Sequence, residues 1–278
     1  MMHRRGFTIV ELIVGTVVMA ILGTILARML VQDSRFVSKL EAMMDARQSA
    51  RAAMNTMALE LRMVSDDGLL AATPTLVTVR APYAWGILCE AVGTERVASL
   101  VPTDAMWYGS AIPDGVAWRD NTGTYRFDDD VTIVSPPTNP GACTDPDWFV
   151  QAGGLRIGIT QLGGFPSPQL GDIFYLYQTI SYEFRTSADI PGPPPRIGLW
   201  REVNGSATEI LAPFDTTAGF RFFLDPNDPP IENPVDLAEV TGVELRLHGQ
   251  SELTPQGTNS PEEFYLQTRV TFLNIERP

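Results

Sequence analysis

The first eleven residues hold the most specific chemistry in this chain. Arg4-Arg5-Gly6-Phe7-Thr8-Ile9-Val10-Glu11 leads into an apolar run from Leu12 to Ala27. As a helix, the stretch from Phe7 to Ala27 is about 21 residues and roughly 31 Å long, the thickness of a bilayer's hydrocarbon core. Glu11 is the only carboxylate in that run. On insertion scales an acid there costs on the order of 2.5–3.5 kcal/mol, so it calls for a partner. A cut between Gly6 and Phe7 would create an α-amine at Phe7, whose positive charge can neutralise a nearby carboxylate.

Other reactive residues are few. Cys89 and Cys143 are the only cysteines in 278 residues. The basic leader places the start of the chain in the cytoplasm, although Arg28 at the other end of the run weakens the asymmetry. No small-x-small cleavage site follows the run, so it is expected to stay as an anchor, with the remainder exported. In an oxidising compartment Cys89 and Cys143 are expected to form a disulfide, two separate buried thiols being the alternative. His248 is the one histidine beyond the leader and falls on a predicted strand, where a solvated or hydrogen-bonded role outweighs a catalytic one. No Ser/His/Asp constellation, phosphate-binding glycine loop or zinc-binding helix motif is present, and no enzyme is expected. Asp128-Asp129-Asp130 and Asp225-Pro226-Asn227-Asp228 offer the oxygen ligands that calcium takes, but neither has EF-hand spacing, and turn chemistry accounts for the second. No cofactor is expected beyond that calcium alternative. The net charge of −13 and the lack of a basic patch in the exported part argue against nucleic acid as the partner.

These residues need a scaffold, and the sequence supplies one in three parts. Residues 7–30 read as a transmembrane helix, and 31–67 as its amphipathic continuation. Phe36, Leu40, Met43, Arg47, Ala50, Met54, Met57, Leu61 and Val64 recur at alternating four- and three-residue steps and are expected to face a sheet. Ser65-Asp66-Asp67-Gly68 ends the helix. Residues 68–278 read as a β-rich domain. Strands are expected at Thr75 to Ala81, Leu155 to Ile159, Ile173 to Phe184, Ile197 to Val203, Ala207 to Leu211, Ala218 to Leu224, Glu239 to Leu247 and Phe264 to Ile275. Asn204-Gly205 marks a tight hairpin. The stretch 82–154 reads as a loop-rich insertion holding four of the five tryptophans, Trp85, Trp107, Trp118 and Trp148, with short strands at Val116 to Trp118, Thr124 to Phe127 and Val131 to Val134. Those tryptophans are expected to form the core of a small subdomain rather than a sugar-stacking surface. The fold class is therefore α+β, a long helix packed on antiparallel sheet.

Gly6-Phe7-Thr8-Ile9-Val10-Glu11-Leu12 resembles the cleavage and methylation motif of type IV pilins and type II secretion pseudopilins. The resemblance implies that a prepilin peptidase cuts after Gly6 and N-methylates Phe7. It also implies that Glu11 guides assembly by pairing with the terminal amine of a neighbouring subunit. The succession of Ile180 to Phe184, Gly198-Leu199-Trp200-Arg201-Glu202, Ala218 to Phe223 and the last two strands, with the spaced arginines of Arg47 to Arg62, is similar to the larger minor pilins of the PilW type and the J-type minor pseudopilins. That similarity implies a filament subunit of the inner membrane that joins other minor and major pilins or pseudopilins and primes or caps the filament. The tryptophan-rich insertion has no counterpart in that pattern, which leaves a tip adhesin or substrate-binding module as the alternative function.

Overall fold

A computed structural model describes residues 9–138, 143, 154–160, 162–163, 167–190, 195–225 and 227–273. Helix α1 runs unbroken from Ile9 to Arg62, 54 residues, or about 81 Å. With no proline in it, nothing removes a backbone donor or kinks the helix. It closes in the turn around Ser65, where the Gly68 N–H donates to the Ser65 carbonyl, 2.9 Å, and Asp67 takes φ +58.

Among the described residues thirteen strands follow in one antiparallel sheet. They are β1 (Leu69–Ala72), β2 (Leu76–Val92), β3 (Glu95–Leu100), β4 (Gly115–Arg119), β5 (Tyr125–Asp128), β6 (Thr132–Val134), β7 (Leu155–Thr160), β8 (Ile173–Thr186), β9 (Ile197–Val203), β10 (Ser206–Phe214), β11 (Gly219–Phe223), β12 (Gly242–Gln250) and β13 (Glu263–Thr271). A short helix α2, Pro102–Tyr108, follows β3, with its proline in the first turn where the missing N–H costs nothing. The spine is the long β2–β8 pair, in register from Leu76 opposite Glu183 to Ile87 opposite Ile173, with a shift between Pro82 and Ala84.

The spine has two differently furnished ends. At the end near Leu76, β9 to β13 extend the sheet and α1 lies across it. There Ala50, Ala53, Met57 and Leu61 of α1 share a core with Val77, Val79, Ile180, Tyr182, Phe184, Leu199, Phe214, Phe220, Phe222, Val243, Leu245 and Leu247. Polar contacts anchor the helix too. The Tyr182 hydroxyl donates to Glu60, 2.6 Å, and Arg201 pairs with the same carboxylate at 2.8 Å. At the end near Ile87, β3, β7 and β6 extend one flank of β2, while β4 and β5 flank β8. The second core contains Leu88, Leu100, Val116, Trp118, Ile157, Phe174 and Leu176.

Two sequence expectations need correction. The stretch 82–154 is not loop-rich throughout: it carries the second half of β2, β3, α2 and β4 to β6. The run from Pro82 to Cys89 is apolar on successive positions, so it lacks the alternation that marks a half-buried strand. Secondly, Phe36 and Leu40 do not face the core; they are 60% and 44% exposed. The face against the sheet is instead lined by small residues, Ala42, Ala46, Ser49, Ala50 and Ala53. They let α1 approach β12 so closely that a Cβ added at Gly249 would overlap the Ala46 carbonyl. The Asn204-Gly205 turn forms as expected, with φ +52 and +72, the left-handed pair that a two-residue hairpin requires.

Candidate functional site

Along its length α1 changes from exposed helix surface to buried core. Every residue from Ile9 to Glu41 is exposed except half-buried Ser38, and Ala42 is the first to be buried. Leu12, Met19, Leu22, Leu26 and Leu30 are between 51% and 74% exposed. Such a surface is stable in lipid or against other helices, not in water. The segment is long and apolar enough to cross a membrane. Its two described threonines fit that setting. Thr16 donates to the Ile13 carbonyl at 2.9 Å and Thr24 to the Ala20 carbonyl at 2.8 Å, so their hydroxyls are satisfied within the helix.

Glu11 lies in the first described turn of α1, on the exposed surface. A carboxylate there is favoured by the partial positive charge of the helix start. Gly6 and Phe7, the expected cleavage and methylation positions, lie outside the described residues. The structure thus places Glu11 near the start of the described apolar helix.

The rod is held at a defined height. The β12–β13 connection climbs α1. The Glu252 N–H donates to Asp45, 3.0 Å, Lys39 pairs with Glu262 at 3.5 Å, and Ser34 bonds Gln256 at 3.3 Å. From Ala27 to Ser34 the helix rises only about 10 Å, so the folded domain begins close above the apolar segment.

Of the other candidates, Cys89 and Cys143 are bonded, with Cα atoms 5.4 Å apart and a sequence separation of 54. The bond is surrounded by acceptors for the incoming loop: Glu90 accepts from the Cys143 N–H, and buried Glu95 accepts from the N–H and hydroxyl of Thr138. Trp118 is buried, whereas Trp85 and Trp107 are 40% and 63% exposed, so the tryptophans do not act as one core. Trp148 lies outside the described residues. Asp128 accepts from the N–H groups of Asp130 and Gly163, and Asp225 from the backbone and side chain of Asn227. Pro226 between them lies outside the described residues. Among the described residues no group of three or more His, Cys, Asp or Glu could hold a metal ion. His248 sits with Nδ1 2.7 Å from the Thr217 hydroxyl and its ring edge-on to Tyr265. Burial pushes its pKa down from the usual imidazole value.

The first 27 residues match the family model of the prokaryotic N-terminal methylation motif. No curated protein and no solved structure matches the chain. The motif supports a prepilin-type protein, like the type IV pilins and pseudopilins. It implies processing by a prepilin peptidase and assembly with other pilins, and together with the apolar rod it fits a single-pass anchor in the inner membrane.

Proposed function

We propose that this chain is a minor pilin or pseudopilin, of the PilW or J type, that joins sibling subunits to prime or cap a type IV pilus or a type II secretion pseudopilus. Prepilin peptidase cuts between Gly6 and Phe7 and methylates the new amine; Glu11 then pairs with the terminal amine of an adjoining subunit. The observation that carries this reading is the continuity of α1. One unbroken helix contributes core residues between Ala42 and Leu61 and exposes a largely apolar surface from Ile9 to Ala27, behind a methylation motif. A membrane holds that surface before assembly, and a bundle of like helices can hold it afterwards. Mass spectrometry of the protein from its native membrane tests the proposal. A mature chain beginning at N-methylated Phe7 is expected, and one retaining Met1 to Gly6 beside an active peptidase rejects it. Glu11→Ala is expected to abolish incorporation while leaving the exported domain folded.

A second reading rests on Trp85 and Trp107. Large aromatic side chains left this exposed on the insertion suit a ligand-stacking surface, and make the chain a tip adhesin or substrate receptor on a pilin stalk. Trp85→Ala with Trp107→Ala would then remove binding of exported substrate or host surface and leave filaments intact. Retained binding rejects it.

A further inference from the structure

Among the described residues the sheet blunts its free edges except at one strand. β1 has four residues and a register shift, β5 has four residues and β6 three. β10 carries two shifts and Pro213. β11 is closed by Ile231, which exchanges both backbone bonds with Phe222, 2.7 and 2.8 Å. β13 differs. It runs nine residues in unbroken register with β12, without proline, glycine, lysine or bulge, and among the described residues no strand pairs with its other side. Short strands, bulges, proline and lysine are the usual defences of an edge, and this one has none of them.

The ladder fixes which groups face outward. At the strand's two ends the Ser251 N–H donates to the Glu262 carbonyl and the Phe272 N–H to the Thr241 carbonyl. With continuous register between them, the even-numbered residues of β13 bond to β12, and Tyr265, Gln267 and Thr271 turn their N–H and C=O groups away from it. Above this edge runs one flank of α1. Arg47 stacks on Phe264, 5.2 Å from the ring centre, and the Arg62 carbonyl accepts from the Leu273 N–H, so helix and strand run parallel. Arg51, Met54 and Ala58 lie between those two points on the same helical flank. Arg47, Arg51 and Arg62 are exposed and, among the described residues, have no carboxylate partner, although the chain as a whole carries −13.

We propose that the β13 edge takes an extended acidic strand from an adjoining subunit of the assembly. The strand would add to the sheet by main-chain hydrogen bonds, with its acidic residues beneath the arginines of α1. This rests on the assembly reading above. A second copy pairing β13 to β13 across a two-fold axis would point the two apolar rods in opposite directions, which one membrane does not permit.

The test is residue-resolved amide hydrogen exchange on the full-length protein, free in detergent and in the assembly extracted from native membranes. Slowing at Tyr265, Gln267 and Thr271 by at least about tenfold on assembly is expected. Gln267→Pro removes an outward N–H and the exposed side-chain acceptor of the Tyr265 hydroxyl but no ladder bond to β12, so it should keep the free protein's melting curve and disulfide yet lose that protection. Arg47→Glu with Arg51→Glu should weaken it. If the chain co-purifies with the filament but these amides exchange as fast as in the free subunit, the strand proposal is overturned and the assembly reading stands. If the chain is absent from the filament, both fall. Protection appearing in concentrated purified protein alone would make the occupant a second copy and overturn the proposal as stated.

Discussion

The two ends of the β2–β8 spine solve the same problem with different means. Near Leu76 a 54-residue helix closes one face of the sheet, and the core it covers contains phenylalanine, leucine and valine from eight strands and α1. Near Ile87 no comparable helix is available among the described residues. The second core is smaller, α2 is only seven residues long, and a disulfide closes a long excursion over the sheet. Where packed area is short, covalent and polar ties take over, as in small exported domains. The helix end carries the apolar rod, and the insertion end does not. The difference predicts that the ends lose structure separately when the insertion is weakened, and together when the helix end is.

The strongest way to break that comparison is Trp118→Ala. Trp118 is 1% exposed in the second core, and removing such a side chain costs about 3–5 kcal/mol. Loss of hydrogen-exchange protection in β3, β4 and β7, with α1 and β12 still protected, is the expected result; a single global transition would show that the spine couples the ends. Next comes the disulfide. Replacing Cys89 and Cys143 by alanine frees a loop with a sequence separation of 54, worth about 3–4 kcal/mol by chain entropy. The variant should become sensitive to protease between β6 and β7 while the helix end keeps its melting temperature.

The helix end was largely legible in the sequence and the insertion end was not, for physical reasons. Strands with one wet face alternate, as Ile180, Tyr182 and Phe184 do, and Asn204-Gly205 announces its turn. The continuous helix followed from the absence of proline and from the apolar run. Its buried face was legible at Ala50, Met57, Leu61 and Val64 but not at Phe36 and Leu40, because large side chains were given the core. The informative signal was the spacing of Ala42, Ala46, Ala50 and Ala53, which only a close helix–sheet approach uses. In the insertion the second half of β2 carries apolar residues on both faces, so periodicity is silent there, and Pro82 and Gly86 look like loop signals. Glu11 stands out in the sequence from chemistry alone, as the one charge in an apolar span. The β13 edge was not, since pairing on one side or two leaves no mark in composition.

Smaller effects sharpen the contrast. Tyr182→Phe removes the hydroxyl that donates to Glu60 and leaves the Arg201–Glu60 pair in place. A cost of about 1–2 kcal/mol is expected, appearing in denaturant unfolding as a shift of the helix end that the insertion end follows.

At the insertion end the matching polar device responds to acid. The Asp120 carboxyl is held down to about 2, first by the Thr122 hydroxyl, then by Arg126 and by the N–H groups of Thr122 and Thr124, against the desolvation that burial brings. Its folded pKa thus lies below the unfolded value near 3.9. The stability it contributes is fully present above about pH 4 and is lost as pH falls through about 2. Order in the β4–β5 hairpin should therefore decline over that window, readable from the Tyr125 ring resonances, while Ile180 to Phe184 stay protected. Asp120→Asn should flatten the dependence. A wild-type hairpin that keeps its order to pH 2, or an Asn variant that loses it over the same window, would remove Asp120 as the group that ties this turn.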